Sequence, residues 1–132
     1  MSLLSLFFLW VLALFFIGAG VYHFLKPKAF EPIVPPWITT GPTFSFLPLR
    51  FRTARMLVYS SGIVEIISGV LLIIPETRAW GAWGVIILLI GVFPANVYMY
   101  QTRDHYSKIP AWVLLTRLPV QGLVIWWATA YL

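Results

Sequence analysis

Glu65 is a carboxyl in the middle of an apolar run, with no other charge between Met56 and Pro75. In a lipid-spanning helix a charged side chain costs about 2.5–3.5 kcal/mol or more, so such groups mark a site, a pathway or a partner. Arg117, inside another apolar run, is its candidate partner. Two readings of the pair stay open. It is either a structural ion pair that fixes helix register, or a functional pair in which Arg117 binds a carbonyl or anionic group while Glu65 takes or gives a proton. His23, Asn96 and Gln121 are further polar residues in or at the ends of apolar segments. At about 1.5 Å per residue, Arg117 lies roughly 10 Å and Gln121 roughly 15 Å below one edge, level with Glu65, while His23 and Asn96 are shallower. Arg117 and Gln121 share an i, i+4 face, as do Ser61 and Glu65. The other half of the membrane has almost no comparable group. The expectation is a polar chamber in one leaflet, walled by all four apolar segments.

Each residue also has a plainer role. His23 can be an interfacial hydrogen-bonder. Asn96 can repair the kink at Pro94, whose missing N–H frees a carbonyl one turn back, and Pro119 has the same effect between Arg117 and Gln121. One histidine with one carboxylate is too small a set for a metal site, and His105 falls in a loop, so no metal is expected.

The elements that must position these groups are four apolar segments, at about 3–25, 53–74, 79–100 and 111–132. Each approaches the roughly 20 residues that cross about 30 Å of hydrocarbon. The chain of 132 residues is 61% hydrophobic and 10% charged, against roughly 45–50% and 25% in soluble domains. No segment alternates as a barrel strand does, so helices are the way to satisfy the buried backbone. The expected fold is therefore all-α, a single integral membrane domain over 1–132 forming a four-helix up-down bundle. No Lys or Arg precedes the first segment, and its apolar run exceeds the roughly 7–15 residues of a signal-peptide core, so it reads as a retained helix.

Absence of cysteine excludes disulfide, thiol-redox and thiolate–metal chemistry. The net charge of +5 does not point to nucleic acid, because the basic residues flank apolar helices. Lys26, Lys28, Arg50, Arg52 and Arg55 fall at the first loop, Arg103 and Lys108 in the third, and only Arg78 in the second. That asymmetry predicts loops one and three in the cytoplasm and both termini outside.

The first loop, 26–52, carries prolines at 27, 32, 35, 36, 42 and 48 among Phe30, Trp37, Phe44, Phe46 and Phe51. Proline at that density forbids a long helix, and aromatics beside Lys and Arg favour the membrane interface. It reads either as a cap across one mouth of the bundle or as an interfacial anchor. Trp37, after Pro35-Pro36, is placed to stack on a bound ring. Trp10, Trp80, Trp83, Trp112, Trp126 and Trp127 fall near helix ends as interface belts. Pro75-Glu76-Thr77-Arg78 reads as a tight hairpin in which proline ends one helix and the polar residues cap the next. Gly62 and Gly69, and Gly84 and Gly91, recur at heptad spacing and predict close helix packing. Gly62, Glu65 and Gly69 share one face, so Glu65 should point at another helix.

Several motifs in order carry a resemblance: Gly18-x4-His23-Phe24, Ile33-Val34-Pro35-x-Trp37, Ser61-Gly62-x2-Glu65-x3-Gly69, Pro75-x2-Arg78, Phe93-Pro94-Ala95-Asn96 and Arg117-Leu118-Pro119-x-Gln121. Together they resemble the DoxX-like family of small four-helix membrane proteins, over about residues 18–121. The resemblance implies an up-down bundle in a bacterial cytoplasmic membrane. Members of that family are linked to quinone-coupled sulfur oxidation, to membrane complexes dealing with oxidative stress, and in animal relatives to assembly of receptor channels. Related bundles use cysteine pairs for thiol chemistry, and this chain has none.

The favoured expectation is an accessory or binding subunit, not a stand-alone enzyme. A pocket of His23, Glu65, Asn96, Arg117 and Gln121 under Trp37 would hold a quinone- or lipid-like molecule within a redox-related complex. The alternative is an assembly factor for another membrane protein, and a weaker one is a small transporter or proton path. Expected partners are membrane lipids, other membrane subunits or further copies of the chain, with no nucleic acid.

Overall fold

A computed structural model describes residues 1–39, 53–102, 104 and 109–132. Four long helices dominate: α1 (Leu3–Leu25), α2 (Ala54–Ile73), α3 (Arg78–Gln101) and α4 (Ala111–Thr129). Among the described residues there is no strand. Ser2 starts α1 by accepting from the Ser5 N–H at 3.1 Å, and Thr53 starts α2 by accepting from Met56 at 3.2 Å. All four helices are long and apolar enough to cross a membrane, and at most 28% of each spanning window is buried. Leu3, Phe15, Ile87, Leu123 and Trp126 are among many large apolar side chains facing outward. A surface this apolar needs lipid against it. The protein is a multi-pass membrane protein.

Glycines let the backbones touch. A Cβ on Gly20 would lie 2.6 Å from the Gly62 carbonyl oxygen, and one on Gly69 would lie 2.8 Å from that of Ala13. These contacts run α1 and α2 in opposite directions. One on Gly81 would lie 2.5 Å from the Leu72 nitrogen, so α3 folds back along α2. Gly84 lies against the Ser68 side chain. Gly91 departs from the packing expected of it: nothing lies within 4 Å of where its Cβ would be. Gly20 and Gly81 do the work instead.

The hairpin between α2 and α3 is tight, but its polar residues cap the helix behind them. The Thr77 hydroxyl donates to Leu71 O at 3.0 Å, and Arg78 Nε donates to Leu72 O at 3.0 Å. Thr77 makes no side-chain bond to α3. The reason is charge: an arginine can only donate, and a helix end offers carbonyls.

The core sits at the end of the bundle that holds both termini. Leu9, Leu12, Ala13, Phe16, Leu72, Ala82, Val85, Ile86, Ala128 and Tyr131 form one cluster. Tyr131 closes it, its hydroxyl donating to Ser5 O at 3.1 Å, while Phe8 meets Trp127 edge-on at 6.0 Å. Every polar candidate lies towards the opposite end.

At that end the described start of the first loop folds onto the bundle as 3-10 turns at Pro27–Ala29 and Glu31–Ile33, then one helical turn at Pro36–Thr39. Pro35 is fully buried. Glu31 accepts from Arg55 Nε at 2.9 Å, tying the loop to the start of α2. Being exposed, this tie is screened by solvent and contributes little to stability. Arg55→Ala should therefore shift the melting temperature by only a degree or two, and a larger fall would mean that the loop is held mainly by this pair. The expectations placed on Pro42, Phe44, Phe46, Pro48, Arg50, Phe51, Arg52, Arg103, His105 and Lys108 lie outside the described residues.

Candidate functional site

The polar residues form two bonded sets, not one chamber. No hydrogen bond or ion pair joins the two sets among the described residues.

The first set belongs to α1 and α2. Gly20 and His23 are three apart on α1, and Gly62 and Glu65 are three apart on α2, so each pair shares a face. The glycine contact brings the helices together, and a Cβ on Gly62 would lie 3.0 Å from that of His23. His23 thereby reaches Glu65, with Nδ1 3.0 Å from Oε2 and side chains 12% and 13% exposed. The expected partnership of Glu65 with Arg117 is thus replaced by one with His23. Nδ1 also lies 2.6 Å from the Ala19 carbonyl. Both neighbours accept, so Nδ1 must carry a hydrogen. That hydrogen goes to Ala19, and Glu65 Oε2 is buried with no hydrogen bond. Phe30, from the loop, stacks on the imidazole at 3.9 Å and meets Tyr22 edge-on.

The second set belongs to α3 and α4. Arg117 Nη2 donates to Asn96 Oδ1 at 3.4 Å. Asn96 Nδ2 donates to Gln121 Oε1, and Gln121 Nε2 to the Leu89 carbonyl. The chain has one possible direction, because arginine only donates at one end and a carbonyl only accepts at the other. That fixes which way both amides face. Gln121 within it is 5% exposed. Pro94 deprives the Ile90 carbonyl of its helical donor, and it is the neighbouring carbonyl of Leu89 that Gln121 takes. Asn96 donates to Gln121 and not to the freed Ile90 carbonyl, so it does not repair the kink. Pro119 lies inside α4, one residue from each of Leu118 and Val120.

Between these helices runs an open groove of about 320 Å³, lined by Ile90, Phe93, Leu118, Gln121, Gly122 and Ile125. Of the six candidate ligand residues, Gln121 alone lines it. Trp37 is half-exposed on the loop and does not line this groove. Ser61, expected beside Glu65, donates to Val58 O of its own helix. Among the described residues no group of three or more metal-ligating side chains occurs.

The groove itself was not legible in the sequence. Its nearest signal is Gly122 beside Gln121, a small residue next to a buried amide. No curated protein and no solved structure matches the chain. Residues 12–132 match a family described as Domain of unknown function (DUF8561), and the chain belongs to that family.

Proposed function

We propose that the protein is a membrane-embedded binding subunit that holds a quinone- or lipid-like amphiphile in the groove between α3 and α4. The observation that carries this reading is the groove itself, apolar on every side except for Gln121. Small-molecule sites have that make-up: apolar walls with few polar groups to fix orientation. Asn96 and Gln121 each use one amide hydrogen in the chain and keep a second, and Arg117 keeps most of its five. A set rich in spare donors suits a ligand whose head accepts, such as a ring carbonyl or a phosphoryl oxygen.

The distribution of Lys and Arg supports a cytoplasmic first and third loop, and the resemblance to DoxX-like proteins supports a bacterial cytoplasmic membrane. On this reading His23, Glu65 and Phe30 hold the loop in place and do not touch the ligand. A continuous proton or solute path finds little support, since the terminal half is filled by Leu9, Leu12, Phe16 and Leu72.

The test blocks the groove without touching its polar chain. Nothing lies within 4 Å of a Cβ at Gly122, so Gly122→Leu should fold and fill the space. Purified wild type should melt higher with added quinones or membrane lipids, by about 2.7 kcal/mol of stabilisation at a hundred times the dissociation constant. Gly122→Leu should show little of that gain. An equal gain in both proteins, or none in wild type, would sink the proposal.

A further inference from the structure

Arg117 is a cation in a membrane-spanning helix without an anion. The ion pairs among the described residues are His23 with Glu65 and Arg55 with Glu31. Arg117 is left with one long bond to a neutral amide, Asn96 Oδ1 at 3.4 Å. An arginine side chain stays protonated in proteins, so it cannot escape by neutralising itself. In hydrocarbon it requires a counter-charge or a route to water.

The groove shows where that counter-charge would come from. Leu118, Gln121, Gly122 and Ile125 of α4 line it, and Arg117 lies one residue before the first of them, at the loop end. From 118 to 125 the groove follows about 10 Å of helix towards the terminal end. Side chains on a helix lean towards its N-terminus, which for α4 is the loop end, where headgroups would lie. A cation at the head of an apolar trough is the complement of an amphiphile with an anionic head.

We propose that Arg117 is neutralised by the anionic headgroup of a membrane amphiphile whose chain lies along Ile90, Phe93, Leu118, Gly122 and Ile125. This rests on the groove reading above and narrows it from any acceptor-headed molecule to an anion. The planar guanidinium can grip phosphate or carboxylate oxygens with two parallel hydrogen bonds. The bond to Asn96, continued through Gln121 to Leu89, would hold that plane in position.

The test is native mass spectrometry of the detergent-purified protein after exposure to an equimolar mixture of phosphatidylglycerol, oleate, phosphatidylcholine and a short-chain quinone. Wild type should retain phosphatidylglycerol or oleate at least tenfold over phosphatidylcholine. The first would assign a phospholipid source and the second a fatty acid, and both support an anionic head. Arg117→Gln should lose the preference, Arg117→Lys should keep part of it, and Arg55→Gln should leave it intact. Circular dichroism would establish that each variant is folded. Equal retention of charged and neutral lipids, or a preference that survives Arg117→Gln, overturns the proposal. A neutral quinone held in wild type, lost in Gly122→Leu and indifferent to Arg117→Gln would overturn it while leaving the groove reading intact. Retention of nothing would sink both.

Discussion

Gly81→Val should severely destabilise the purified protein, whereas Gly91→Val should leave it folded and stable. A Cβ at residue 81 would sit 2.5 Å from Leu72 N, 2.7 Å from Ser68 O and 2.9 Å from Leu71 C. All three are backbone atoms of a helix, so none can swing aside, and α3 would have to move away from α2. Overpacking usually costs about 1–3 kcal/mol even where side chains can adjust. Moving two helices apart also gives up the contacts of Ala82 and Val85 in the core. Against a total stability of about 5–15 kcal/mol, that is a large share. At Gly91 there is no neighbour within 4 Å, so valine there changes little beyond intrinsic helix preference, tenths of a kcal/mol. Size-exclusion profiles and melting temperatures in one detergent would compare them. Gly81→Val should aggregate or melt at least 10 °C lower, with Gly91→Val within about 2 °C of wild type. Equal behaviour would mean that these backbones do not approach as described.

The four helices were legible because apolar length is a property of each segment alone. The predicted segments 3–25, 53–74, 79–100 and 111–132 match α1 to α4 to within one residue, except that α4 ends at Thr129. Partnership was not legible in that way. Opposite charge and similar depth point Glu65 to Arg117, but neither property carries information about which helices touch. Contact is set by where backbones can approach, and Gly20 with Gly62 decides that α1, not α4, lies against the face of Glu65. The signal was present as Gly20-x2-His23 opposite Gly62-x2-Glu65. Heptad spacing misled in the same way: Gly84 and Gly91 share a spacing, yet only Gly84 has a neighbour, because α3 meets α2 near its start. The hairpin lies where the sequence puts it, but its Thr77 and Arg78 donors serve the free carbonyls ending α2, because the N–H groups that start α3 need an acceptor. As for the groove, its walls come from two helices, and no local pattern reports a space that both fail to fill.

A double-mutant cycle separates the observed partnership from the expected one. His23→Leu removes the side chain that Glu65 pairs with among the described residues, and Glu65→Leu strips the imidazole of the carboxyl 3.0 Å away. Each single change should destabilise, because a buried polar group left alone keeps its desolvation cost. The double change removes both groups and should recover part of the loss. Breaking a buried pair in a soluble protein costs about 3–5 kcal/mol, but polar contacts between membrane helices average nearer 0.6 and reach about 1.7 kcal/mol. Here the smaller scale applies. The Nδ1 hydrogen is directed at Ala19, and Glu65 Oε2 receives no hydrogen bond in return. A coupling energy of about 1 kcal/mol is therefore expected from unfolding titrations in mixed micelles. The companion cycle, Glu65→Leu with Arg117→Leu, should be additive within about 0.3–0.5 kcal/mol, as for sites with no shared partner. If coupling appeared between Glu65 and Arg117 and not between Glu65 and His23, the two polar sets would have to be one. The groove would then lose the uncompensated cation on which its preference for an anion depends.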